Sequence, residues 1–175
     1  MDLIDCLKNF HFEEGMVLTS FDVESLYTNV PVQETLDMLV NQIYETDNST
    51  VRNMNKHTFR ELLDIATNNS FFIFNDKYYN QSEGLAMGQP LSAPLANIFL
   101  CLNEKQWLHD CPAEFKPVFY KRYVDDTIVI FRKKEHIPKF HEYINSRHPN
   151  MNFTRELEEN RKKPFLDILL EHYNS

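Results

Sequence analysis

Glycine is scarce in this chain of 175 residues, 3 in all. With no low-complexity run and no internal repeat, a flexible linker is excluded, and one globular unit spanning residues 1–175 is expected. Cysteine is equally sparse and odd in number. Cys6, Cys101 and Cys111 fit no disulfide framework, and His109 near Cys111 finds no second ligand pair to complete a zinc site. Long apolar runs are missing, and the opening MDLIDCLKNF carries acids where a signal peptide needs bases. Neither secretion nor a membrane span is indicated, so the expected location is intracellular, nucleus or cytoplasm. Cations are in deficit, 18 Lys and Arg against 26 Asp and Glu, for a net charge of −8. That is the wrong sign for a self-sufficient binder of phosphate backbones, whose affinity comes from cations that release counterions. The bases present are grouped at Lys116, Lys121 and Arg122, at Arg132 to Lys134 and at Arg161 to Lys163, as solvated loop ends are.

What the chain has in quantity is apolar material, 42% of its residues with 14 Phe, enough to build a core. The stretch Tyr120 to Phe131, YKRYVDDTIVIF, runs from β-branched and aromatic residues through two acids and back, which predicts a hairpin bending at Val124, Asp125 and Asp126. Aspartate tolerates the left-handed backbone of tight turns, so the acids belong at an exposed tip. Met16 to Asp22, MVLTSFD, predicts a buried strand that ends in an acid. Val32 to Thr46 places Leu36, Leu39, Val40 and Ile43 on one helical face, with Pro31 suited to its first turn. Asp47 to Lys56 is polar and predicts a loop; Thr58 and Glu61 then form a capping box for a helix carrying Phe59, Leu62, Leu63 and Ala66. Phe71 to Phe74 and Tyr78 to Tyr79 flank Asn75, Asp76 and Lys77 as a second hairpin. Gly84 to Phe99, GLAMGQPLSAPLANIF, predicts a loop pressed close to something, then a helix capped by Ser92 with Leu95, Ile98, Phe99 and Leu102 on one face. Ile137, Phe140 and Ile144 mark a further helix, and Met151 to Leu157 with Pro164 to Leu170 predict a last pair of strands.

This order of elements predicts an α+β fold, an antiparallel sheet with helices packed on one face. Such a sheet can bring Asp22 beside Asp125 and Asp126. Crowded carboxylates repel; they stay ionised when a cation lies among them, and otherwise at least one has its pKa raised. Magnesium suits hard oxygen donors and is typically held by one or two carboxylates plus substrate phosphates. Two such ions about 4 Å apart serve phosphoryl transfer.

FDVESLY, GLAMGQPLSAPLANIF and YVDD, in this order, resemble motifs A, B and C of a reverse transcriptase palm. SLYTNVP after the first acid, and FTRELEE followed by FLDILL, most resemble Penelope-like retroelements. The resemblance runs from about Met16 onward. It implies a polymerase palm with a ferredoxin-like core, adding deoxynucleotides to a primer 3′-hydroxyl on an RNA template. Asp22, Asp125 and Asp126 would be catalytic. Asp22, Asp125 and the carbonyl of Val23 would hold two magnesium ions, with manganese as a substitute. Tyr27 would pack under the incoming sugar and disfavour a 2′-hydroxyl, with Gly88 and Gln89 beside the nucleotide. Pro90, Tyr123, Phe165 and Leu166 would meet template and primer, Phe165 to Asp167 resembling the segment that leads into the primer grip.

Met87, Gln89 and Ala93 depart from commoner motif B residues, which bears on template contacts more than on metal binding. The resemblance also leaves fingers and thumb largely missing, and with them an endonuclease module, as in a fragment of a longer retroelement protein with weak or no activity in isolation. Lys133, Lys134 and Lys163 are candidates for the general acid. Two other readings keep the fold: an RNA-dependent RNA polymerase palm using the same acids, and a catalytically inert remnant or partner-binding domain.

Overall fold

The computed structural model describes residues 3–46, 54–68 and 70–173. In chain order its elements are α1 (Leu3–Lys8), β1 (Val17–Val23), α2 (Leu26–Asn29), α3 (Val32–Thr46), α4 (Lys56–Thr67), β2 (Phe71–Phe74), β3 (Lys77–Asn80), α5 (Ser92–Asp110), β4 (Phe119–Tyr123), β5 (Asp126–Phe131), α6 (His136–Asn145), β6 (Phe153–Leu157), β7 (Lys162–Phe165) and β8 (Ile168–Glu171). They sort into two compact units, one of Met1–Glu24 with Trp107–Ser175, the other of Ser25–Gln106.

In the first unit, β4, β5, β1 and β6 form a sheet in that order, with every neighbouring pair antiparallel. This is the strand order of a ferredoxin-like core. The expected antiparallel sheet with a packed helix is therefore present. Strand β5 is buried at every position after Asp126, as a strand covered on both faces should be. On one face Phe21 and Phe131 meet Phe140 of α6, with ring centroids 5.7 and 5.3 Å away. Ile137, Phe140 and Ile144 recur at helical spacing and are all buried, so α6 turns one apolar stripe onto the sheet. On the opposite face Met16, Leu18, Ile128, Ile130 and Phe165 make a second cluster, covered by Leu3 and Leu7 of α1 and by Phe10, Phe12 and Leu170. Each such side chain contributes about 1.5–3 kcal/mol on burial.

The C-terminal stretch differs from the expected pair of strands. Strand β6 pairs with β1, the chain turns at Asn160 and Arg161 (φ 52° and 63°) and again at Leu166 (φ 53°), and β7 pairs with β8. The reason is packing. Phe165 and Leu170 both join the cluster around Leu18, and a straight strand would hold them roughly 16 Å apart. Glu158 completes the join: its carboxylate accepts the Leu18 N–H at 3.1 Å and pairs with His172 Nε2 at 2.8 Å.

In the second unit, α3 has the bounds its periodicity predicts, and the Pro31 carbonyl accepts the Thr35 N–H at 2.9 Å. The capping box at Thr58 and Glu61 is not formed. Asn55 caps α4, accepting the Thr58 N–H at 2.9 Å from an extended backbone, so Thr58 already lies in the first turn. Of the loop expected over Asp47 to Lys56, residues 47–53 lie outside the described residues, and Lys56 begins α4. Asn75 and Asp76 are both left-handed (φ 50° and 57°), which makes the β2–β3 connection a type I′ hairpin with the residues that turn prefers.

One polar atom in the sheet is out of place. The Thr127 hydroxyl is buried with no hydrogen-bond partner among the described residues. Because an unmatched buried hydroxyl is destabilising, Thr127→Val is expected to raise stability by about 1 kcal/mol, read from the midpoint of urea unfolding. A loss of stability would show that the hydroxyl is satisfied after all.

Candidate active site

The acids are placed by strand register. Asp22, the sixth residue of β1, lies directly across from Asp126, the first of β5, and Asp126 in turn lies across from Tyr123 of β4. Paired positions share a face, so both carboxylates emerge on the side where Ser20 and Glu156 also lie, Glu156 being paired with Ser20. Asp125 sits in the two-residue connection from β4 to β5, and its carbonyl accepts the Val23 N–H at 3.2 Å. Three carboxylates from two distant parts of the chain thus meet at one end of adjacent strands.

The turn itself is strained. Val124 has φ 57°, whereas Asp125 is not among the left-handed residues. One positive φ, at the first central position, is the pattern of a type II′ turn, where glycine is preferred. The left-handed residue is therefore the valine, not an aspartate as the turn chemistry predicts. A β-branched residue in that region costs about 1–3 kcal/mol and persists only where its surroundings over-determine it. Here the paired strands, the Arg122 Nη1 bond to the Val124 carbonyl at 2.8 Å and the Val23–Asp125 bond fix it.

Electrostatics follow from this crowding. The Asp22 carboxyl is held above its usual range, first by loss of water on the side facing the strands, then by the charges of Asp125, Asp126, Glu24 and Glu156. One side of Asp22 remains open to solvent, so water and a cation can still reach it. Asp126 is raised as well, by burial and then by Asp125 and Glu156. Glu156 goes the other way: its bond to Lys163 Nζ, at 2.6 Å, and that ammonium's charge hold it below the usual range.

Glu24 and Glu156 are the acids that sequence reasoning missed. Alternation is their one signal: it puts Thr154 and Glu156 of FTREL on the same face as Asp22, and Glu24 stands two residues past Asp22. Lys163 is 3% exposed and committed to Glu156, while the Glu156 side chain is 79% exposed. Lys133 and Lys134 follow the far end of β5, roughly 20 Å along the strand from Asp126. None of the three lysines presents a free ammonium at the carboxylates.

The remaining expected site residues divide between the units. Tyr123 is exposed beside Asp126, and Leu166 is exposed at the β7–β8 turn, but Phe165 is 4% exposed and its ring belongs to the core under β1 and β5, not to a solvent-facing surface. In the second unit, Tyr27 stands half-buried on α2. Gly88 (φ 90°) and Pro90 are exposed, Gln89 is half-buried with its N–H on the Ala86 carbonyl at 3.3 Å, and Ser92 is not a cap: its hydroxyl donates to the Ala86 carbonyl at 2.6 Å.

Among the described residues no group of three or more His, Cys, Asp or Glu could hold a metal ion. The donors are nonetheless chemically of the kind magnesium takes. Asp22, Asp125 and Asp126 are hard oxygen ligands whose mutual repulsion a cation would relieve, and this ion is usually held by one or two carboxylates with substrate phosphates completing the shell.

Comparison with known proteins adds two findings. The family model described as "Reverse transcriptase (RNA-dependent DNA polymerase)" matches residues 6–158. Apo telomerase from Candida tropicalis, truncated from its C-terminal domain, superposes with a TM-score of 0.65 at 19% identity, covering 94% of this chain and 35% of that one. Telomerase from Candida albicans, in complex with a fragment of telomeric RNA, gives a TM-score of 0.69 at 13% identity, covering 96% of this chain and 32% of that one. The chain thus spans about a third of these solved chains, and at such identities the likeness is one of fold. No curated protein matches.

The raised carboxyls make stability depend on pH with a definite sign. A carboxyl whose folded pKa lies above its unfolded value, near 3.8, adds stability that is complete below that value and lost as pH rises through the folded pKa. Asp22→Asn is therefore expected to raise the Tm at pH 7 and to leave it unchanged at pH 3. Equal effects at both pH values would mean that the Asp22 carboxyl is not held above its usual range.

Proposed function

This chain belongs to the reverse transcriptase (RNA-dependent DNA polymerase) family, and from that premise we propose that it is the palm of an RNA-directed DNA polymerase of the Penelope-like kind. The observation that carries the proposal is the meeting of Asp22, Asp125 and Asp126 at one end of β1 and β5. In this reading the chain transfers deoxynucleotides to a primer 3′-hydroxyl on an RNA template. Asp22 and Asp125 hold the cations, with the Val23 carbonyl beside them and Asp126 as the auxiliary acid. Magnesium, when bound, would lower the pKa of the attacking hydroxyl and neutralise the leaving pyrophosphate.

The chain's own contribution is position. Two paired strands fix Asp22 and Asp126, and the two-residue turn with the strained Val124 carries Asp125. Lys163, by neutralising Glu156, keeps a further negative charge from adding fully to the repulsion at Asp22. Tyr27, Gly88, Gln89 and Pro90 of the second unit would act on nucleotide and template, and Tyr123 and Leu166 on the primer. A deficit of cations limits what this stretch binds alone, so the cationic grip on template and primer would come from further parts of a longer polypeptide. Among the described residues no helix is long and apolar enough to cross a membrane.

Primer extension on an RNA template, with deoxynucleotides and magnesium, tests the reading. Asp125→Asn is expected to lower the rate by about a thousandfold, since losing charge stabilisation worth several kcal/mol has that effect. Extension that survives the substitution unchanged would refute it. Magnesium should also raise the Tm of the unaltered chain, and not that of Asp125→Asn, because a ligand of the native state stabilises by mass action.

A further inference from the structure

The loop ahead of α5 touches the turn that carries Tyr27 through main chain. Leu85 donates its N–H to the Tyr27 carbonyl at 2.7 Å. One residue earlier, Gly84 has φ +70°, and a Cβ there would lie 2.5 Å from the carbonyl oxygen of Thr28 and 2.7 Å from its carbonyl carbon and Cα. All three atoms are backbone, so no change of rotamer makes room. Gly88, in the same loop and also left-handed at φ +90°, would have nothing within 4 Å of a Cβ. Glycine at 84 is thus required by contact as well as by conformation.

The turn on the other side of this contact is short and held at both ends. Helix α2 has four residues; it opens from a left-handed Ser25 (φ 51°) and closes on the Val30 N–H, bonded to the Leu26 carbonyl at 3.0 Å. Leu26, Val30 and Leu85 are buried, which anchors both strips of backbone. The Tyr27 hydroxyl, in contrast, has no hydrogen-bond partner among the described residues.

We infer that Gly84 and Leu85 are positioning residues for Tyr27, a main-chain clamp that fixes where its ring stands and thereby how strongly a 2′-hydroxyl is rejected. This rests on the proposed place of Tyr27 at the sugar. A steric barrier discriminates only if it cannot recoil: a misplacement of about 1 Å is enough to change a rate about a hundredfold, and one small group in a pocket commands about 10–200-fold.

The clamp is tested by labelling the chain with 3-fluorotyrosine and assigning the Tyr27 signal by its loss in Tyr27→Phe. In Gly84→Ala the Tyr27 resonance is expected to move, and the preference for dATP over ATP to fall by about tenfold or more. The preference is read from primer extension or, where extension is undetectable, from the ratio of their affinities in magnesium. Gly15→Ala is the control: it imposes a similar left-handed strain (φ +86°) with its nearest atom 3.9 Å away, and should change neither readout. Should Gly84→Ala fail to fold, amide hydrogen exchange on the unaltered chain decides, since the Leu85 N–H must be protected. An unprotected Leu85 amide, an unmoved Tyr27 resonance in folded Gly84→Ala, or a moved resonance with an unchanged preference overturns the inference. An unchanged preference in Tyr27→Ala instead removes the assignment of Tyr27 to the sugar and leaves the clamp itself standing.

Discussion

Asp22 faces Asp126 because β1 and β5 pair in one register, and the other features of the carboxylate site depend on that pairing. Side chains alternate along a strand, so a slip by one residue would send Asp22 to the face that holds Phe21 and α6. Leu18, Phe21 and Val23 on one strand, and Ile128, Ile130 and Phe131 on the other, are all buried and can be buried together only in this alignment. The acids themselves oppose it. Two like charges about 4 Å apart repel by about 1 kcal/mol in water and about 4 kcal/mol at the effective dielectric of a protein surface. Each large apolar side chain beneath them contributes about 1.5–3 kcal/mol, so the core outweighs the repulsion and holds the carboxylates where they would not gather unaided.

The polymerase chemistry proposed above would have use for that imbalance. A divalent cation would relieve acids held together in the folded state, and its binding would then be coupled to stability of the sheet. The strained Val124 belongs to the same arrangement: a hairpin with glycine in its place would set the same turn with less stored energy, but also with less restriction on where Asp125 points. Glu156 adds a further acid on this face, and the buried Lys163 answers it.

Much of this was legible one segment at a time. The hairpin at Val124 to Asp126, the strand ending near Asp22, α3 at its full length and the stripe of α6 all follow from local periodicity, because alternation and helical spacing are written in neighbouring residues. What could not be read was decided in one place by local cap geometry and in another by residues far apart in sequence. Asn55 takes the cap from Thr58 by a matter of local geometry that the capping-box pattern does not rank. Phe165 and Leu170 fold back on one another because both are drawn to the cluster around Leu18, about 150 positions away, and so the final strand becomes a hairpin and Phe165 a core residue.

The amino-acid sequence by itself determined most of the elements, the three aspartates and the order of motifs that marks the family, since these depend on residue type and short spacing. Only the tertiary structure decided that Asp126 stands across from Asp22, that the left-handed turn residue is a valine, that Lys163 is spent on Glu156, and that Gly84 lies against the backbone of Thr28. The physical reason is that strand register and close backbone approach are set by what the whole core can bury at once, a quantity no single stretch of the chain contains.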